Sequence, residues 1–194
     1  DGNQIADIRS IGAIPVSCTQ NVFNEILRRT STIARVAIET ANQEVLTYTS
    51  AMVGLRGAAS TVTAAVVKGN QLVVANVGDS RTYRWTPDGL QRITRDHSLV
   101  QRLVDTGQIT AQEAYAHPRR NIIYHSIGDR PQVEVDAFRC PLDEGDRLIL
   151  CSDGLWEMVR EEGLEEILLA EADPRRACQR LVEYANMAGG DDNI

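Results

Sequence analysis

Between positions 19 and 50 the apolar residues Val22, Phe23, Ile26, Ile33, Val36, Ala37, Ala41, Val45 and Leu46 recur mostly at steps of three and four. Glu25, Arg28, Arg29, Arg35 and Glu39 fall between them. That period predicts a long amphipathic helix, with a β-branched cluster at 30–33 placed to bend or split it. After Gly54-Leu55-Arg56-Gly57 the period shortens. Residues 61–67 and 71–77 read as strands joined by Lys68-Gly69-Asn70, a reversal suited to its glycine and asparagine. Gly78-Asp79 interrupts, residues 80–85 alternate again, and Thr86-Pro87-Asp88-Gly89 turns the chain into 90–94. The expectation is an antiparallel meander.

The middle of the chain, 96–128, has a different texture. Ser98 can cap a helix to about 106 and Thr110 a second through 116. His117-Pro118 ends the latter, because proline disfavours helical geometry in the residue before it. A polar helical insertion between strands is expected to be a surface flap. Strands at 133–138 and 147–151 and amphipathic helices at 161–170 and 174–187 complete the pattern. Helix, strands, then helices without βαβ alternation predict an α+β fold: a four-layer α-β-β-α sandwich of two antiparallel sheets flanked by helices.

Composition narrows the class. At 194 residues the chain is one domain, and 43% hydrophobic with 24% charged residues is enough to bury a core. Twenty-seven acidic against 20 basic residues leave −7, which disfavours phosphate-neutralising contact with nucleic acid. Cys18, Cys140, Cys151 and Cys178 have no short metal-site or redox spacing, so a reducing compartment is expected. No apolar run approaches the ~20 residues that span a bilayer. The expectation is a cytoplasmic domain with no membrane segment. The opening Asp1-Gly2 and closing Asn193-Ile194 suggest a domain truncated at both ends.

Three aspartates stand where chemistry could collect. Asp79 follows a strand in Gly78-Asp79-Ser80-Arg81, Asp153 follows another in Cys151-Ser152-Asp153-Gly154, and Asp192 lies in Gly189-Gly190-Asp191-Asp192-Asn193. Carboxylates at strand ends beside glycines can converge on one sheet edge and suit hard cations such as Mg²⁺ or Mn²⁺. Each is equally ordinary turn chemistry taken alone.

Taken together they carry a resemblance. Gly57-Ala58-Ala59-Ser60-Thr61, Val77 through Arg81, Ile93-Thr94-Arg95-Asp96-His97-Ser98, His117-Pro118-Arg119-Arg120-Asn121, Gly145-Asp146-Arg147, Ser152-Asp153-Gly154-Leu155-Trp156 and Gly189 through Asn193 occur in an order and spacing that resemble the metal-dependent protein phosphatases (PPM, type 2C), particularly bacterial members. The resemblance implies a signalling hydrolase that removes phosphate from serine or threonine of a phosphorylated protein, with a serine/threonine kinase as a potential partner. It implies two Mn²⁺ or Mg²⁺ ions, held in part by Asp153 and Asp192. Asp1 would bridge the ions and the Gly2 carbonyl would bind one. Asp79, with Asp153, would hold a weaker third ion, and Glu157 is a looser match for that site. Asn3-Gln4-Ile5 and His125 depart from the family pattern. The alternative is a catalytically inactive module on the same scaffold that binds a kinase or regulator.

Other residues have plainer readings. Flap hydrogen bonding is the simpler role for His97, His117 and His125, pairing with a carboxylate for Arg81, and solvation for Arg119-Arg120. Trp85 and Trp156 suit core seams. The glutamates at 161, 162, 165 and 166 suit an exposed helix face.

Overall fold

The computed structural model describes residues 20–190 and 192–194. In chain order its elements are α1 (Gln20–Ala51), a 3-10 turn (Val53–Leu55), β1 (Val62–Lys68), β2 (Gln71–Val77), β3 (Arg81–Thr86), β4 (Gly89–Arg92), α2 (Leu99–Asp105), α3 (Ala111–Tyr115), β5 (Asp136–Pro141), β6 (Arg147–Cys151), α4 (Asp153–Ala170) and α5 (Pro174–Met187).

The β-branched cluster does not split α1, which is one helix of 32 residues. Ser31, Thr32, Thr40 and Thr47 return their hydroxyls to the carbonyl four residues earlier, so they satisfy themselves within the helix. Its buried stripe is also not the one that hydrophobicity marks. Ile33 and Val36 are 68% and 53% exposed, whereas Leu27, Ser31, Ile38, Asn42 and Thr49 face inward. Asn42 explains the rotation. Its Oδ1 accepts from Gly128 N at 2.8 Å and its Nδ2 donates to Arg130 O at 2.8 Å. A fully paired amide can be buried at little cost, and here it ties α1 to the strand-free run before β5.

The strands form two antiparallel sheets, β1-β2-β5 and β4-β3-β6. Representative pairs are Ala65↔Val74 and Val74↔Phe138 in the first, Tyr83↔Arg92 and Tyr83↔Ile149 in the second. The expected meander is therefore corrected: β2 and β3, consecutive in sequence, lie in different sheets. The break has a local cause. Gly78 takes φ +102, and a Cβ there would come within 2.3 Å of Thr61 Cγ2. Only glycine lets the chain leave one sheet so close to β1 and enter the other. Hydroxyl pairs stitch the sheets together, Thr63 to Thr82 at 2.8 Å and Thr61 to Ser80 at 2.7 Å.

Helix α1 packs on β1, β2 and β5, while α4 packs on β3, β4 and β6 with α5 against it. The four layers are thus α-β-β-α, the α+β arrangement expected. Two boundaries move. β5 begins at Asp136, three residues later than the alternation suggested, because Val133 and Val135 pack with Ile38 of α1 instead of joining the sheet. Helix α4 begins at Asp153 and not near 161. It is kinked at Arg160, whose φ of 63 and ψ of 165 lie outside helical space. Leu155, Trp156 and Val159 of its first part join Tyr83, Leu164, Ile167, Leu181 and Ala185 in the main core cluster.

The insertion contains the two helices its caps foretold. Ser98 Oγ accepts from Gln101 N at 3.2 Å, and Thr110 forms a reciprocal capping box with Glu113. No helix among the described residues is long and apolar enough to cross a membrane.

Candidate metal centre

Asp79 sits at the crossing between the sheets, and its main chain is held from both sides. Gly78 O accepts from His97 N at 2.9 Å, and Gly78 N donates to His97 Nδ1 at 3.3 Å. Asp79 O accepts from Trp156 Nε1 at 3.0 Å. Burial, then the nearby charges of Asp153 and Asp96, push the Asp79 carboxyl up to about 6 against a weaker pull from Arg81.

Asp153 opens α4 immediately after β6, with Ser152 at the N-cap. Its Oδ1 accepts from Gly154 N at 2.9 Å. Burial raises its pKa, and the charge of Asp192 adds to the shift. Asp192 arrives from the far end of the chain, after α5. Asn193 O accepts from Ser152 Oγ at 2.9 Å, which docks the segment beside Asp153. Gly154 makes the approach possible, since a Cβ there would meet Asn193 O at 2.6 Å.

The three predicted aspartates therefore lie near enough to act on one another in pairs, the charge of Asp153 raising Asp79 and the charge of Asp192 raising Asp153. Among the described residues no Arg, Lys or His forms an ion pair with any of them. Unneutralised oxygen donors beside one another fit a hard divalent cation better than any other occupant. Among the described residues no three His, Cys, Asp or Glu side chains close into one ligand set. Asp1 and Gly2, the remaining expected ligands, lie outside the described residues, as does Cys18.

The other expectations resolve individually. Glu157, one turn beyond Asp153, faces Arg120 of the insertion at 3.5 Å. His97 Nε2 lies 3.2 Å from Asp136, His117 Nδ1 accepts from Arg119 N at 3.1 Å, and His125 pairs with Glu134 at 3.4 Å. The imidazoles of His97 and His117 serve hydrogen bonds, and His125 stands beside a carboxylate. Arg81 pairs with Asp96 at 2.7 Å, both side chains almost wholly buried. Trp85 and Trp156 fill core clusters. Burial pushes the Cys151 thiol up to about 12, the behaviour of a packing group and not of a nucleophile.

Sequence reasoning missed two supporting groups. Asp96 is the buried counter-ion of Arg81, and the Trp156 indole N–H is the donor to Asp79 O. Asp96 lay within a quoted motif, but only the pairing of β3 with β4 and the run after β4 brings it under Arg81.

Comparison with known proteins identifies the family. The family model described as protein phosphatase 2C matches residues 11–185. A serine/threonine phosphatase stp of Listeria innocua is 41% identical over 157 residues, 81% of this chain and 62% of the relative. The crystal structure of serine/threonine phosphatase Stp1 from Staphylococcus aureus superposes with a TM-score of 0.77 at 32% identity, covering 90% of this chain and 66% of that one. The catalytic domain of serine threonine protein phosphatase PstP, solved in complex with two manganese ions, gives 0.73 at 34% identity over 81% of this chain and 65% of that one. The chain spans less than two thirds of the length of the Listeria relative it matches. With its two facing sheets and a family match over most of its length, the chain belongs to the protein phosphatase 2C family.

Proposed function

We propose that the protein containing this chain is a Mn²⁺- or Mg²⁺-dependent phosphatase acting on phosphoserine and phosphothreonine of proteins. The observation that carries the reading is that Asp79, Asp153 and Asp192 lie near enough to raise one another's carboxyls in pairs, with no cation paired to them among the described residues. Family membership and the printed names of the relatives support it.

In this reading Asp153 and Asp192 hold a pair of ions, with Asp1 and the Gly2 carbonyl completing the set. Asp79 and Asp153 hold a weaker third. Such ions supply an ionised water near neutral pH and a clamp on phosphate oxygens. The chain's own residues do the rest. The carboxylates set the spacing and offset the charge, Gly154 admits the Asp192 segment, and the crossing at Gly78 presents Asp79. The nucleophile would be water, so no protein nucleophile is required, consistent with the buried Cys151 thiol and with His97 and His117 held in hydrogen bonds. The insertion 96–128 is a flap beside the site, reaching Glu157 through Arg120. The substrate is a phosphoprotein, a serine/threonine kinase is the natural partner, and the setting is cytoplasmic.

The test is phosphopeptide hydrolysis by the full natural chain with Mn²⁺, with EDTA and with Asp153→Asn. Turnover that needs Mn²⁺, stops with EDTA and is lost in the variant supports the proposal. Turnover indifferent to chelation, or retained by Asp153→Asn, removes it.

A further inference from the structure

We propose that Trp156 is a positioning residue for Asp79, acting through its indole N–H and not through its bulk. The inference rests on the metal-centre reading above and deepens it.

Trp156 lies three residues after Asp153 on α4. It is 7% exposed, and its Nε1 donates to Asp79 O at 3.0 Å. One helical turn therefore carries both a candidate ligand and the group that holds the neighbouring one. The ring cannot swing away. The Arg81 guanidinium lies 3.4 Å above its centroid, and Tyr115 of α3 leans on it at 6.1 Å. That guanidinium is itself fixed, by Asp96 at 2.7 Å and by Tyr83 Oη at 3.1 Å. His97 secures Gly78 on the other side, so the Asp79 peptide is gripped from two directions.

The grip opposes a definite force. Asp79 and Asp153 repel each other, and the turn would relax by drawing the carboxylates apart. A donor fixed to the helix of Asp153 resists that movement and holds the gap between the two carboxylates. Removing the N–H leaves the packing and frees the gap.

The molecule contains its own control. Trp85 is also buried and also carries a stacked arginine, Arg147 at 4.7 Å. Among the described residues, however, its Nε1 meets no acceptor. Deleting that N–H changes a tryptophan without changing a hydrogen bond.

The experiment is calorimetric Mn²⁺ titration of the full natural chain, as wild type and as Asp79→Asn, Trp156→Phe and Trp85→Phe, with circular dichroism to confirm folding. The wild type is expected to show a weak Mn²⁺ event that Asp79→Asn removes. Trp156→Phe should raise the dissociation constant of that event roughly 3- to 10-fold, the worth of one hydrogen bond, and leave tighter binding alone. Trp85→Phe should match wild type. If phenylalanine disturbs the core, benzothienylalanine at position 156 keeps the ring volume with sulfur in place of N–H and should give the same shift. A Trp156 titration that superimposes on wild type, or an equal loss in Trp85→Phe, overturns the positioning role alone. A wild type that takes up no Mn²⁺, or an Asp79→Asn protein identical to it, overturns the metal-centre reading and this inference with it.

Discussion

Removing the carboxylate of Asp96 is the most informative single perturbation of this fold. Its two oxygens accept Arg81 Nε at 3.1 Å and Nη2 at 2.7 Å, and Arg92 stands 3.7 Å away. The Arg81 and Asp96 side chains are 6% and 3% exposed, so water cannot replace the lost partner. Breaking a buried pair from one side costs about 3–5 kcal/mol, because the remaining charge stays buried. Arg81 would keep Tyr83 Oη and the face of Trp156, which puts Asp96→Ala near the lower end, about 3 kcal/mol. With a urea slope of about 2 kcal/mol/M, the unfolding midpoint should fall by roughly 1.5 M. Tryptophan fluorescence is the natural probe, since Trp156 lies against the affected guanidinium. The double variant Arg81→Met/Asp96→Leu removes both charges and should recover at least half of the loss. A midpoint for Asp96→Ala within about 0.3 M of wild type, or a double variant as weak as the sum of the singles, would refute the assignment of a mutually dependent buried pair.

Asp79 makes stability depend on pH in a particular direction. Its carboxyl is raised from 3.8 to about 6, so between those values the folded state holds a proton that the unfolded chain releases. Its contribution to stability is therefore lost as pH rises through that window. In chelator, Asp79→Asn should gain on wild type from about pH 4 to pH 7 in urea melts. A difference that stays constant across that range contradicts the shift. Gly154→Ala should displace Asn193 O, lowering Mn²⁺ affinity at least tenfold by calorimetry while urea midpoints move less than for Asp96→Ala. Equal affinity would mean Asp192 does not need that approach. Asn42→Ala should destabilise by about 2–3 kcal/mol, because the buried Gly128 N–H loses its acceptor, and hydrogen exchange at Gly128 should quicken accordingly.

The sequence marked the elements well where a local rule operates. The long period-three-and-four run became α1, the Ser98 and Thr110 caps started α2 and α3, and Pro174 opened α5 at its first turn. Misplacements occurred where a distant segment outvoted local pattern. Val133 and Val135 alternate like a strand but answer to Ile38 of α1. Gly154 looks like a turn residue, yet it sits in the first turn of α4 because the Asp192 segment needs its missing side chain. The face of α1 is set by the hydrogen bonds of Asn42, which no hydrophobicity pattern can anticipate.

The same division holds for the candidate site. The amino-acid order alone determined which carboxylates to watch, because the ordered set of motifs around Asp79, Asp153 and Asp192 resembles one family, whereas each aspartate taken singly is ordinary turn chemistry. It also determined the fold class, through the succession of periods. Where Asp79 and the Asp192 segment lie was decided by the crossing at Gly78 and by the docking of Asn193 on Ser152, a contact spanning 41 residues in the second case. The buried partners that hold them, Asp96 under Arg81 and Trp156 over Asp79, likewise exist only in the folded chain. Local propensity reads a few residues at a time. Charge repulsion, burial and a single indole N–H act between residues that only tertiary packing makes neighbours.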